Sequence, residues 1–164
     1  MSKLILATKL TRENFAPFGD VIDTGGDNHY SINAGRCERY HDLARVEATG
    51  ENARVLISLF KATPYEFPLK LGMVERHPYG SQAFIPLSAR PFLVVVCHDT
   101  PDGPGEPHAF ITQPGQGVNY PRNAWHGVLT PIGEPQEFVV VDRGGTEKNL
   151  EEFHFASPYE VRLS

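Results

Sequence analysis

Residues 74–87 read VERHPYGSQAFIPL, and the stretch that leads into them, residues 67–73, reads FPLKLGM. In an extended chain, successive side chains point to opposite faces. Phe67, Leu69, Leu71, Met73, Glu75 and His77 therefore share one face, and Pro68, Lys70, Gly72, Val74 and Arg76 share the other. The first face begins apolar and ends in a carboxylate and an imidazole. Such a strand suits a small barrel, with its apolar end filling the interior and its polar end lining the mouth. Gln82 follows His77 by five residues, at the start of the apolar run 83–87. The spacing Glu-x-His-x-x-x-x-Gln sets three polar side chains around one turn, His-Pro-Tyr-Gly-Ser. Pro78 biases the backbone of His77 toward an extended shape. A carboxylate beside an imidazole on a buried face is costly unless it is paired or holds a cation.

The whole chain agrees with strands joined by turns. Its 164 residues favour one domain, residues 1–164, with a sizeable core. The 15 glycines and 14 prolines fall between short apolar runs, as turns between strands require. Net charge is −5 with no basic cluster, which argues against a nucleic-acid partner. The apolar stretch in MSKLILATKL is too short for a signal peptide or a membrane span, so a cytoplasmic protein without a membrane partner is expected. Cys37 and Cys97 are expected as free thiols, Cys97 as a small buried residue at the end of FLVVVC.

Along the chain, Thr11 is placed to cap one or two helical turns that Pro17 ends. Strands are expected at 19–23, 54–61, 67–77, 82–87, 92–98 and 108–113, with a central one at 138–142 and an edge strand at 151–155. Residues 98–107, HDTPDGPGEP, have the composition of an exposed turn. The pattern predicts an all-β, antiparallel jelly-roll barrel with a short N-terminal helix. Arg39 and His41 alternate with Tyr40 and share a strand face, either as solvated groups or as part of a site. Asp142 and Arg143 point to opposite faces, so only one of them can line the barrel. Trp125 is expected as an aromatic plug at one barrel end.

A second stretch, residues 115–129, reads GQGVNYPRNAWHGVL and carries Pro121, Asn123 and His126 as P-x-N-x-x-H. Cupins carry H-x-H-x4-E in a first motif and P-x-G-x-x-H in a second. This chain resembles that arrangement with Glu75, His77, Gln82 and His126. Longer strings are more specific. ERHPYGSQAFIPL, GQGVNYPRNAWH, FVVVDRGG and the early INAGRCERYHDLA of residues 32–44 resemble the ureidoglycolate lyase family of allantoin breakdown, in family order across nearly the whole chain.

The resemblance implies a cupin jelly roll, a homodimer, and cleavage of (S)-ureidoglycolate to glyoxylate and urea. It also implies a nickel dependence if a metal is present; no organic cofactor is expected. Glu75, His77, Gln82 and His126 can hold a divalent metal or stand as a metal-free polar cluster. The reaction needs a base, for which Glu75 or His126 is suited, and His77 and Gln82 serve as ligands or orienting groups. It also needs a carboxylate anchor. Arg76 projects away from Glu75, so Arg39, with His41 beside it, is the expected clamp. Many family members have His where this chain has Pro121, and a His-Pro pair in place of Gly127 and Val128, so His126 remains as the imidazole of the motif. Two other readings compete: a cupin that binds a small carboxylate without turnover, and another metal-dependent cupin reaction such as isomerisation or oxygenation.

Overall fold

In a computed structural model, which describes residues 3–164, the short apolar runs become strands. The chain starts with β1 (Lys3–Leu6) and β2 (Thr8–Lys9), then makes one helical turn, α1 (Arg12–Phe15). Thr11 caps that turn as expected. Its hydroxyl accepts from the Asn14 N–H at 3.1 Å, and the Asn14 side chain accepts from the Thr11 N–H at 2.9 Å. β3 (Asp20–Ile22) follows, then a hairpin of β4 (His29–Ile32) and β5 (Cys37–Tyr40). Next come β6 (Arg54–Ala62), β7 (Leu69–Arg76), β8 (Gln82–Pro86) and β9 (Phe92–Cys97). Residues 98–107 fold into a small hairpin of β10 (Asp99–Thr100) and β11 (Gly103–Pro104). The chain closes with β12 (His108–Ile111), β13 (Gly117–Tyr120), β14 (Trp125–His126), β15 (Thr130–Pro131), β16 (Gln136–Gly144) and β17 (Glu151–Arg162).

The strands form two large sheets. An eight-stranded sheet runs β1-β17-β7-β14-β9-β12-β2, with β15 also on β9, and a five-stranded sheet runs β3-β13-β8-β16-β6. Phe92, Val94, Val96 and Phe110 of the first meet Phe84, Val118, Tyr120, Phe138 and Val140 of the second in one core cluster. Phe15 packs into it edge-on to Phe110, with ring centroids 6.0 Å apart. This is the expected all-β, cupin-type jelly roll with one short helix. The run FLVVVC is buried at every position because both its faces are covered. Phe92, Val94 and Val96 line the barrel, whereas Leu93 and Val95 join Ile5, Leu71, Ala109 and Val161 in a second cluster. No helix among the described residues is long and apolar enough to cross a membrane.

Three expectations need correction. Residues 151–155 form an edge as expected, paired to β7 alone, but the strand they begin is much longer than expected. β17 continues to Arg162 and lies between β1 and β7, bulging between His154 and Tyr159. The bulge re-registers a strand too long for one regular ladder, and β1, a strand the composition of MSKLILATKL did not announce, pairs in parallel with its far end, Tyr159–Arg162. Second, the apolar part of the 67–77 row does not fill the barrel. Phe67, Leu69 and Leu71 pack in the second cluster, with the residues that alternate with the barrel lining. Third, Trp125 does not plug a barrel end. It packs with Val74, Cys97 and Phe153 in a separate cluster, because it alternates with the inward-facing His126. Its indole N–H donates to Asp99 Oδ1 at 2.9 Å, and the Arg76 guanidinium lies 4.3 Å from its ring.

Candidate active site

β7 and β14 are neighbours, and their register sets His126 directly opposite Glu75. Opposed residues of adjacent strands share a sheet face. His126 is also opposite Val96, a barrel-lining residue, so Glu75 and His126 both turn inward. β7 ends at Arg76, and the chain turns through residues 77–81 into β8 of the other sheet, whose first residue is Gln82. The second motif is stitched onto the first, since the Asn123 N–H donates to the His77 carbonyl at 3.0 Å. Asn123 sits at φ 66°, where the cupin pattern has glycine. Asparagine is among the few residues with a side chain that enter this left-handed region readily.

The ligand-type atoms of Glu75, His77 and His126 lie within 4.8 Å of one another. His77 Nε2 is 4.0 Å from Glu75 Oε1 and 3.1 Å from Gln82 Oε1. The remaining contacts fix which atoms face inward. His77 Nδ1 lies 2.7 Å from the Asn149 carbonyl. A carbonyl only accepts, so Nδ1 donates and carries a proton. Gln82 Nε2 donates to Asp142 Oδ2 at 3.3 Å, which turns Oε1 toward His77. Gln82 Oε1 and His77 Nε2 are therefore two electron-rich atoms facing each other unless a proton or a cation stands between them.

His126 repeats the pattern. Its Nδ1 donates to the Gly127 carbonyl at 2.9 Å, and its buried Nε2 has no hydrogen-bond partner. A buried polar atom left bare is unfavourable by about 1–3 kcal/mol. Two imidazole nitrogens, an amide oxygen and a carboxylate, all converging, form a donor set suited to a divalent first-row metal.

Burial also sets the protonation states. It lowers the pKa of His126 to about 3, against an opposing effect of the Gly127 hydrogen bond and with a further lowering by His77. The ring is thus neutral, as a ligand or a base must be. Burial raises the Glu75 carboxyl, with His77 opposing and Glu152 adding to the rise. Tyr120 is a neutral phenol, its pKa pushed up by burial and by Glu75. Its ring stacks on His126 at 4.1 Å between centroids and 3° between planes, fixing the imidazole orientation.

The other expected residues divide. Arg39 and His41 are not brought to the cluster. They belong to the β4–β5 hairpin and its exit, where Arg39 lies 5.9 Å from the Tyr30 ring and its side chain is exposed. Among the described residues no hydrogen bond or ion pair joins Arg39 or His41 to the cluster, and the hairpin pairs only with itself. Arg76 points away from Glu75 as anticipated and pairs with Glu151 at 2.6 Å and Asp99 at 3.3 Å. Asp142 is the inward member of its pair. Arg143 is a buried structural cation that bonds Glu147 and the Thr49 carbonyl. Gly127 is tightly placed. A Cβ there would lie 3.2 Å from Val95 Cβ, so an imidazole cannot be added without moving Val95.

Two functional neighbours were missed. Tyr120 was visible one residue before the Pro121 motif, at an alternating position that inward-facing strand logic could have flagged. Asn149 had no signal, because it acts on His77 through a backbone carbonyl. Its side chain accepts the Tyr79 N–H at 2.7 Å and so holds the same turn.

A family model described as ureidoglycolate lyase matches residues 2–162. The chain belongs to the ureidoglycolate lyase family. A protein named ureidoglycolate lyase from Mesorhizobium japonicum (strain LMG 29417 / CECT 9101 / MAFF 303099) is 75% identical over 159 residues, covering 97% of this chain and 98% of its own. One of the same name from Chelativorans sp. (strain BNC1) is 61% identical over 97% of this chain and 96% of its own. Ureidoglycolate lyase 2 from Rhizobium meliloti (strain 1021) is 60% identical over 94% and 95%. Within this family, the inward cluster around His77 is the candidate active site of the ureidoglycolate lyase fold.

Proposed function

We propose that the chain cleaves ureidoglycolate to glyoxylate and urea. The observation that carries this reading is the convergence of Glu75, His77 and His126 within 4.8 Å, in a member of a family named for that reaction. The substrate carbon bears a carboxylate, a hydroxyl and a urea nitrogen. A base removes the hydroxyl proton, the C–O bond becomes a carbonyl, and the C–N electrons leave with nitrogen, which gains a proton. No water is consumed. Glu75 is the base of this proposal: burial has raised its carboxyl toward the pH at which proton transfer works well, and such a base contributes on the order of 10²- to 10⁴-fold. Glu75, His77, Gln82 and His126 would hold a divalent metal, nickel by the family resemblance. Bound there, the ion would polarise the substrate's oxygens as a Lewis acid and offset its negative charge. Asn149 and Tyr120 keep the two imidazoles oriented, and Gln82 presents an oxygen.

Incubation of the purified protein with (S)-ureidoglycolate should release glyoxylate and urea in equal amounts, without ammonia. Binding without turnover would favour the carboxylate-binding cupin instead, and oxygen uptake would favour an oxygenase.

We also propose a homodimer built on the outward face of β6, an edge strand. Val55 is 53%, Ile57 77% and Leu59 71% exposed, three apolar side chains on one strand face. Their cross-strand neighbours Val139 and Val141 continue the patch onto β16. A contiguous apolar face of this kind marks an association surface. Light scattering should show a dimer at micromolar concentration and a monomer for the Ile57→Asp, Leu59→Asp double variant; a dimer in both would overturn the interface. The two free cysteines fit a reducing, cytoplasmic setting.

A further inference from the structure

Gln82 has no charge to fix its direction. A side-chain amide presents oxygen or NH₂ with nearly the same shape, and only its neighbours decide which. Two neighbours bear on it. On one side is His77 Nε2, 3.1 Å from Oε1. On the other is Asp142 Oδ2, 3.3 Å from Nε2. His77 alone would turn the NH₂ inward, because its proton is on Nδ1 and its Nε2 is bare. Asp142 decides, since a carboxylate only accepts and is a stronger acceptor than a neutral ring nitrogen. The fold places it for this. β16 and β8 are paired with Val141 opposite Ala83, so Asp142 and Gln82 are the next residues along and share the inward face with Val140 and Phe84.

We propose that Asp142 is a positioning residue that locks the Gln82 amide with its oxygen toward the Glu75–His77–His126 cluster, so that Gln82 works there as an oxygen donor and not as a hydrogen-bond donor. This explains how a neutral amide stands where the cupin pattern has a carboxylate: the lost charge is one bond further out, on Asp142. The inference rests on the metal-holding reading for its effect on affinity, but the amide lock itself rests on the hydrogen-bond geometry.

The test uses Asp142→Asn, which keeps the shape but can donate as well as accept, so the amide is no longer held in one orientation. The second variant is Asp142→Asn combined with Gln82→Glu. It returns the charge to position 82, where the carboxylate can accept from the new asparagine and still present an oxygen inward. Nickel(II) binding by titration calorimetry should weaken about ten- to a hundredfold in the single variant, the usual effect of losing such an outer partner. It should recover most of that loss in the double variant, with melting temperatures unchanged throughout. Unchanged nickel affinity in Asp142→Asn, or a double variant no better than the single one, would overturn the proposal. If the wild type binds no nickel, the metal reading fails by itself, and glyoxylate release decides the lock by the same pattern. Loss in the single and recovery in the double variant support it, and equal rates overturn it.

Discussion

Glu75→Gln is expected to lower glyoxylate release by about a hundredfold or more while leaving the fold intact, because the substitution keeps the shape and removes only the charge. The structure sharpens this. Glu75 sits opposite His126 and 4.0 Å from His77 Nε2, on the inward face and half-buried. Its carboxyl is already raised by burial, so replacing it with a neutral amide removes an unfavourable charge as well as a favourable neighbour. Its melting temperature should therefore stay close to that of the wild type. His77→Ala is the companion measurement. It leaves the Asn149 carbonyl without its partner, and should lower stability by about 1–3 kcal/mol in addition to abolishing turnover. A Glu75→Gln protein that melts early and turns over normally per folded molecule would move the pair from catalysis to scaffold.

The second large effect concerns His126, and it separates metal binding from stability. In metal-free protein, His126→Leu should be within about 1.5 kcal/mol of wild type. The bare Nε2 is relieved, and the bond to the Gly127 carbonyl and the stack on Tyr120 are lost, which are opposing effects of similar size. Adding nickel(II) at a hundredfold excess over its dissociation constant should stabilise the wild type by about 2.7 kcal/mol and the variant hardly at all. Equal thermal shifts in both would remove His126 from the ligand set.

The same pair reports on pH. The folded pKa is about 3 and the ordinary value is 6.5. Below about 6.5 the unfolded chain takes up a proton that the folded chain refuses. Stability from this group is complete above 6.5 and declines as pH falls toward 3, by at most about 1.4 kcal/mol per pH unit. Metal-free wild type should lose melting temperature more steeply than His126→Leu between pH 6.5 and 5.

Alternation made most of the fold legible. FLVVVC, FVVVD and the 67–77 row each state a strand, and Thr11 with Pro17 states the helical turn. Alternation is local, however, and says nothing about which layer covers a face. Nor does alternation foresee where it breaks: Leu71 packs in the outer cluster while Glu75 of the same row faces the inward His126, so the row changes face between them, beside the β17 bulge between His154 and Tyr159 that also left β17 read short. The candidate site was legible where its donors are side chains at fixed spacing, in Glu75, His77, Gln82 and His126. It was not legible where a residue acts through the backbone, as Asn149 does, or where sequence neighbours part company, as Arg39 and His41 do on a hairpin that pairs only with itself.

The cluster draws Glu75 and His126 from one sheet and Gln82 and Asp142 from the other, with His77 on the strap between them. The donor set is in effect a buckle, and each sheet carries only half of it. A shear of the two layers by an ångström would scatter the donor atoms before it exposed the phenylalanines behind them. In the proposed reaction the donors act together only while the two sheets keep their register, so the rigidity of the barrel becomes part of the proposed catalyst.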